Sequence, residues 1–116
     1  MKEIKIFKIA FNKCSEFLKN ISENNLETLE NDFDISPAIF EEIMEAIKPY
    51  NKQTENNIFR IKELEFEVFK YNNVDFGIEA TLFTNQNKKT ELTLHADLIN
   101  QELAKYKFQY KLIEVM

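Results

Sequence analysis

Residues 90–98 read TELTLHADL, a stretch in which apolar and polar side chains alternate without interruption. Successive side chains of a β-strand point to opposite faces of the sheet, so the leucines and the alanine of this stretch share one face. Thr93, His95 and Asp97 share the other face. This alternation is typical of an antiparallel sheet with one face in the core and one in water. Residues 90–98 therefore predict a half-buried strand.

The same alternation appears on both sides of this strand. Apolar residues alternate with polar ones from Val74 to Leu82 and again from Tyr106 to Leu112. Asn72-Asn73 precedes the first of these segments, and residues 85–88 follow it. Asn tolerates the positive φ that a tight hairpin turn requires, so both sites are predicted turns. The second half of the chain is thus expected to form a meander.

One further strand is predicted upstream, with a break in its pattern. Phe59 and Ile61 share one parity, whereas the apolar residues from Leu64 to Val68 share the opposite one. A bulge or bend near Lys62-Glu63 would reconcile the two halves. With this segment the predicted sheet has four antiparallel strands.

The first half of the chain has helical periodicity. Steps of three and four residues separate the apolar positions from Ile4 to Ile21, which is one stripe of an amphipathic helix. Ser22 is the predicted N-cap of a second, shorter helix. Ser36-Pro37 is predicted to begin a third helix, which Pro49 ends, because proline fits the first helical position but not the interior. Helices followed by an antiparallel sheet predict an α+β fold, with the helices on one face of the sheet. The apolar positions of the second and third helices are Leu26, Leu29, Phe33, Ile39, Phe40, Ile43, Met44 and Ile47.

The composition limits the possible functions. Its 116 residues, 44% hydrophobic and 30% charged, are typical of a globular chain, and residues 1–116 are expected to form a single domain. The net charge of −5, without a basic cluster, argues against nucleic acid as a partner. Cys14 is the only cysteine, which favours a reducing cytoplasm, and we expect no signal peptide and no membrane span. No phosphate-loop or metal-binding motif occurs, so neither a cofactor nor a metal is expected.

Two segments carry a resemblance to a known superfamily. The first helix and its short follower read CSEFLKNISENNL at residues 14–26, and the strand at residues 90–98 is the second segment. In pattern and element order the chain resembles the nuclear transport factor 2-like folds, also called SnoaL-like or cone-shaped α+β folds, and among them small uncharacterised bacterial domains. The resemblance implies a curved sheet wrapped on helices, sometimes with a pocket between them, and homodimers packed through the sheet. The paired acid and base of the catalytic members is missing here.

His95 is the only histidine, and Asp97 lies two residues further on, so both side chains share the polar face of one strand. A histidine beside a carboxylate can act as a general base. Charged residues on neighbouring strands of the same face would also explain both side chains by cross-strand pairing. We favour the paired surface residue, and His95 and Asp97 are the candidates of an enzyme hypothesis. Cys14 falls in the predicted buried stripe of the first helix, which argues against a nucleophilic role.

The polar face also predicts an acidic surface and an aromatic patch. The carboxylates could gather ligands for a divalent cation, but no metal-loop spacing is present, so a solvated surface is preferred. Phe69, Tyr71 and Phe83 have the polar parity of their strands, so we expect an exposed apolar patch, and such patches mark interfaces. The carboxylates are Glu63, Glu65, Glu67, Asp75, Glu79, Glu91 and Asp97.

Two functional hypotheses remain beside the enzyme. The first is a non-enzymatic interaction module that forms a homodimer or binds another protein through the sheet face around Phe69, Tyr71 and Phe83. Its acidic surface would suit a basic partner. The alternative is a carrier of a small apolar ligand held between helices and sheet. The residues expected to line that pocket are Phe7, Phe11, Phe40, Phe66 and Phe76.

Overall fold

The computed structural model describes residues 2–50, 59–71, 75–84, 86–102 and 105–115, which are called the described residues. Some predictions from sequence lie outside them: the loop at 51–57, the Asn72-Asn73 turn, Val74, and Asn85 of the second turn.

Three helices come first, at Lys2–Ser22 (α1), Leu26–Phe33 (α2) and Pro37–Ile47 (α3). Each has one apolar stripe that faces the sheet, so the helical periodicity predicted from sequence is confirmed except at Leu26, which is 43% exposed. A 3₁₀ turn at Lys48–Tyr50, which contains the predicted helix breaker Pro49, follows α3. Within the described residues, no helix is both long and apolar enough to span a membrane.

The start of α3 is the one predicted from sequence. Ser36 is the N-cap, and its hydroxyl oxygen accepts a hydrogen bond from the Ile39 amide at 3.2 Å. Pro37 occupies the first helical turn, where its missing N–H has no intrahelical partner to lose.

The predicted start of α2 is wrong. Ser22 is the last residue of α1, and its hydroxyl donates to the Lys19 carbonyl oxygen at 2.7 Å. Asn25 caps α2 instead, because its side-chain oxygen accepts a hydrogen bond from the Thr28 amide at 3.4 Å. Asn and Ser have similar N-cap preferences, so the pattern alone does not choose between the two positions.

In the described part of the chain, five antiparallel strands form one sheet: Phe59–Arg60 (β1), Phe66–Lys70 (β2), Phe76–Thr84 (β3), Lys89–Glu102 (β4) and Lys105–Val115 (β5). β1 and β2 pair with successive parts of β3, and β4 and β5 follow on its other side. The predicted meander is therefore confirmed from β2 onward.

The predicted first strand is two strands rather than one. A 3₁₀ turn at Glu63–Glu65 separates β1 from β2, so Leu64 is 98% exposed instead of lying in the sheet. The turn absorbs the change of parity that the sequence shows. Phe59 and Phe66, on its two sides, both reach the core as a result.

The core lies between the helices and one face of the sheet. Leu92, Leu94, Ala96 and Leu98 of β4 are buried, as the alternation at residues 90–98 predicts. The Phe17 ring of α1 joins the layers, with ring centroids 5.7 Å from Phe33, 5.1 Å from Phe108 and 5.6 Å from Tyr110.

The β4–β5 ladder contains a bulge that affects the opposite face of the sheet. His95 pairs with Leu112 and the next residue, Ala96, pairs with Tyr110, so Lys111 is an extra residue in β5. A bulge bends its strand and changes which side chains face which side. Leu112, which the parity of β5 assigns to the core side, therefore lies on the other face, and that assignment is wrong.

The caps give a test of the helix boundaries. Ser36→Ala should lower the free energy of unfolding by about 1 kcal/mol, because it leaves an amide of the first turn of α3 without its acceptor. Ser22→Ala is the matched control and should change it by less than about 0.5 kcal/mol. Urea denaturation followed by circular dichroism measures both, and an equal loss in the two variants would contradict the assigned cap.

Candidate functional site

The side of the sheet opposite the helices, called the open face, carries most of the polar strand residues. Three register rows cross its centre, and within a row the Cβ atoms of paired residues lie about 4.5–5.5 Å apart. The rows are Phe69, Gly77, Asp97 and Gln109; Glu67, Glu79, His95 and Leu112; and Thr81, Thr93 and Glu114.

Phe69 and Tyr71 form an exposed aromatic pair on this face, called the aromatic platform. They are 40% and 48% exposed, as predicted, and their rings meet edge to face with centroids 5.4 Å apart. Both rings lie over Gly77. A Cβ atom at that position would be 2.5 Å from Phe69 Cζ and 2.8 Å from the Tyr71 hydroxyl oxygen, closer than real Cβ contacts come. The absence of a side chain at Gly77 therefore allows the platform to lie on the sheet.

A hydrogen bond anchors one end of the platform. The Tyr71 hydroxyl donates to Asp97 Oδ1 at 2.8 Å, and Lys111 Nζ lies 3.9 Å from the same oxygen and 5.8 Å from the Tyr71 ring centroid. The hydrogen bond to Asp97, burial and the negative charge of Asp97 raise the pKa of Tyr71, while Lys111 opposes the shift. Tyr71 is thus held in place by side chains from two other strands.

The structure gives His95 partners other than Asp97. His95 Nδ1 lies 3.7 Å from Glu79 Oε1, and Nε2 lies 3.8 Å from Glu114 Oε1. These are ion-pair distances, attractive when the imidazole is protonated, and are too long for good hydrogen bonds. Nε2 is covered by protein and has no hydrogen-bond partner within the described part of the chain. A general base needs a nitrogen that reaches its substrate, so this geometry does not support the His95–Asp97 enzyme hypothesis.

Phe83 does not belong to the aromatic platform. Its ring is only 6% exposed, so the expectation that it is exposed is wrong. β1 pairs beside it through Arg60, and Lys62 Nζ lies 4.6 Å from the ring centroid. Leu112 is a further large apolar side chain on the open face, at 41% exposure, and the bulge at Lys111 places it there.

The carboxylates of the predicted acidic surface lie partly in a 3₁₀ turn and partly in the sheet. Glu63 and Glu65 lie in the 3₁₀ turn, where Glu65 pairs with Lys89 at 3.4 Å, whereas Glu67 and Glu79 lie in the sheet. Across the described ranges, no group of three or more His, Cys, Asp or Glu side chains is placed to hold a metal ion.

The five phenylalanines predicted to line a ligand pocket are only partly together. The Phe66 ring contacts Phe7 and Phe11, with centroids 5.3 Å and 5.2 Å away, so these three rings fill the space between α1 and β2. Phe76 instead meets Tyr106 of β5 edge to face, with centroids 6.2 Å apart, and Phe40 packs on the core from α3.

Clefts lie at the margins of the layers, and two of them are lined by described residues. One, of about 540 Å³, lies between α1 and β1 near Leu18 and Arg60. The other, of about 460 Å³, lies between the first two helices and β5 near Asn20 and Lys107. None of the five predicted pocket phenylalanines lines either cleft.

Cys14 is buried in the α1 stripe, as predicted. Burial raises the pKa of its thiol because the thiolate would lose its hydration. A buried thiol of this kind packs as a small apolar group rather than acting as a nucleophile.

Sequence reasoning missed two contributors to the open face, Gly77 and Glu114, whereas it placed Lys111 on the polar side of the last strand. The only glycine of the chain lies in a strand interior, which is a recognised sign of close approach by another group, and that signal could have identified Gly77. Glu114 owes its position to the bulge, which no local pattern of β5 reveals.

Residues 18–116 match a family model described as Domain of unknown function (DUF7668). The match runs from within α1 to the end of the chain, and so includes both layers of the fold and the whole open face. No curated protein and no solved structure matches the chain.

Titration of Tyr71 tests the anchored platform. Asp97→Asn should lower the pKa of Tyr71, because a carboxylate both accepts a hydrogen bond from the neutral phenol and repels the phenolate. Lys111→Met should raise it, because the ammonium group stabilises the phenolate. ¹³C NMR of the tyrosine ζ carbons, assigned with a Tyr71→Phe variant, follows the titration. Shifts of the same sign in the two variants would contradict the described contacts.

Proposed function

The chain belongs to the family described as Domain of unknown function (DUF7668), and from that premise we propose that it is a non-enzymatic interaction module that binds another protein through its open face. We also propose that the α+β fold is, more specifically, a nuclear transport factor 2-like cone. Three N-terminal helices and a sheet whose long strands contain bulges support that assignment, since bulges bend strands. The lone Cys14 and the resemblance to small bacterial domains favour a bacterial cytoplasm as the setting.

The aromatic platform is the observation that carries this proposal. Phe69 and Tyr71 are large apolar side chains that remain 40% and 48% exposed in the folded chain. Full burial of one such side chain contributes about 1.5–3 kcal/mol, so a partner that covers the pair gains free energy. Tyr71 is already held by Asp97, so less side-chain entropy is lost when it is buried.

The charge of the open face favours a different protein, rather than a second copy of this chain, as the binding partner. The three central rows contain the carboxylates of Glu67, Glu79, Asp97 and Glu114, and the bulged Lys111 lies beside Asp97. Four carboxylates and one ammonium group give these five side chains a net formal charge of −3. Two copies packed face to face would bring these carboxylates together, and like charges across an interface cost several kcal/mol.

The geometry gives less support to the two other hypotheses. A carrier needs space between helices and sheet, and the rings of Phe7, Phe11 and Phe66 fill the place where that space was expected. An enzyme built on His95 needs an accessible nitrogen and an adjacent Asp97. His95 has Glu79 and Glu114 as its neighbours, and its Nε2 is covered.

Removal of the platform tests the proposed binding surface. The double variant Phe69→Ser/Tyr71→Ser should lose the partner, because aromatic hot-spot residues contribute about 2 kcal/mol or more, roughly thirtyfold in affinity. Leu64→Ser is the control, since Leu64 is apolar, 98% exposed and lies in the 3₁₀ turn rather than on the open face. Native mass spectrometry of each tagged protein, purified from its own host, reports the mass and stoichiometry of any complex.

The expected result is a complex of defined stoichiometry with an identified second protein, retained in Leu64→Ser and lost in the double variant. Retention of that complex by the double variant would overturn the proposal. A homodimer that is lost in the double variant would identify a second copy of this chain as the partner. A monomer carrying a small-molecule adduct would instead favour the carrier hypothesis.

A further inference from the structure

Two carboxylates of the open face oppose each other directly. Glu67 of β2 pairs in register with Glu79 of β3, and both side chains belong to the solvent side of the ladder. Like charges at directly opposite positions of an antiparallel pair are destabilising. Apart from the His95 imidazole, whose Nδ1 lies 3.7 Å from Glu79 Oε1, no basic group of the described residues forms an ion pair with either carboxylate.

Four of the described lysines have other contacts. Lys62 lies over the Phe83 ring, Lys89 pairs with Glu65, Lys111 pairs with Asp97, and Lys107 forms an ion pair with Asp34 of the α2 C-cap. Glu67 itself has neither an ion pair nor a hydrogen bond to another described residue. The chain thus leaves a place for a positive charge between Glu67 and Glu79.

The Phe69 ring lies beside this acidic pair. Phe69 follows Glu67 by two residues on the same strand face and is paired with Gly77, one row from Glu79. Its ring lies down over Gly77 and remains 40% exposed. An aromatic face next to two carboxylates suits a cation that has an apolar stem, because the stem covers the ring while the charge meets the carboxylates.

We infer that the protein partner presents a basic side chain, a guanidinium or an ammonium group, that binds between Glu67 and Glu79 against the Phe69 ring. This inference rests on the proposed function and names the chemistry of the partner. A hydrated metal ion fits less well, because two carboxylates beside an apolar ring offer too few oxygen ligands. A guanidinium fits best, since its plane stacks on aromatic faces and its donors pair with carboxylates.

A basic probe peptide tests the inference on the full chain. A hexa-arginine peptide, titrated at fixed ionic strength and followed by amide NMR shifts and calorimetry, should perturb β2 and β3 around Phe69. The double variant Glu67→Gln/Glu79→Gln should bind it at least about tenfold more weakly, because charge-assisted pairs are lost. The matched control Glu30→Gln/Glu45→Gln removes the same charge from exposed positions on α2 and α3, and should change the affinity by less than about twofold.

Equal weakening in the two double variants would overturn the inference, because it would mean attraction by net charge alone. A second measurement needs no partner: Glu67→Gln should raise the thermal midpoint, since it removes the repulsion with Glu79. A lower midpoint would show that Glu67 already has a cation, and would also overturn the inference. The proposed function fails separately, when Phe69→Ser/Tyr71→Ser keeps its protein complex, whatever the peptide does.

Discussion

Burial of the apolar side of β4 beneath the helices is the constraint on which the rest of the structure depends. Leu92, Leu94 and Leu98 enter the core, so the residues between them must leave on the other side. Hydrogen bonds hold β3 and β5 in fixed register with β4, and the same constraint therefore orients their side chains. The composition of the open face follows from this core, because every residue buried in the pleat turns its neighbour outward.

Cross-strand register, rather than sequence spacing, decides which side chains of the open face meet. Residues two apart on a strand are separated by about 6.5–7 Å, whereas directly paired residues have Cβ atoms about 4.5–5.5 Å apart. His95 is therefore close to its register partner Glu79, while Asp97 meets Tyr71, which lies 26 positions earlier in the chain, just after β2. The pair that is most conspicuous in the sequence is for this reason not the pair that interacts.

Local sequence patterns predicted the helices and strands, and pairing between strands decided where those predictions do not hold. The alternation at residues 90–98 and the Ser36-Pro37 cap depend only on neighbours in sequence, and both hold in the structure. Assigning alternate residues to opposite faces assumes an unbroken pleat. The bulge at Lys111 interrupts the pleat, so Leu112 lies on the open face instead of the core side. The exposure of Phe69 and Tyr71 followed from parity, but their contact with Gly77 could not, because it depends on how β2 pairs with β3.

Two features of the β2–β3 ladder are each unfavourable to the folded chain alone. A glycine in a strand interior costs about 0.5–1 kcal/mol relative to alanine, and the opposed Glu67 and Glu79 repel each other. Both lie within one row of the exposed Phe69 ring. Natural sequences are locally consistent except at functional sites, where such costs are offset elsewhere. The unfavourable features and the exposed apolar surface coincide on β2 and β3, and for this reason the proposed binding surface is centred on this ladder rather than on His95.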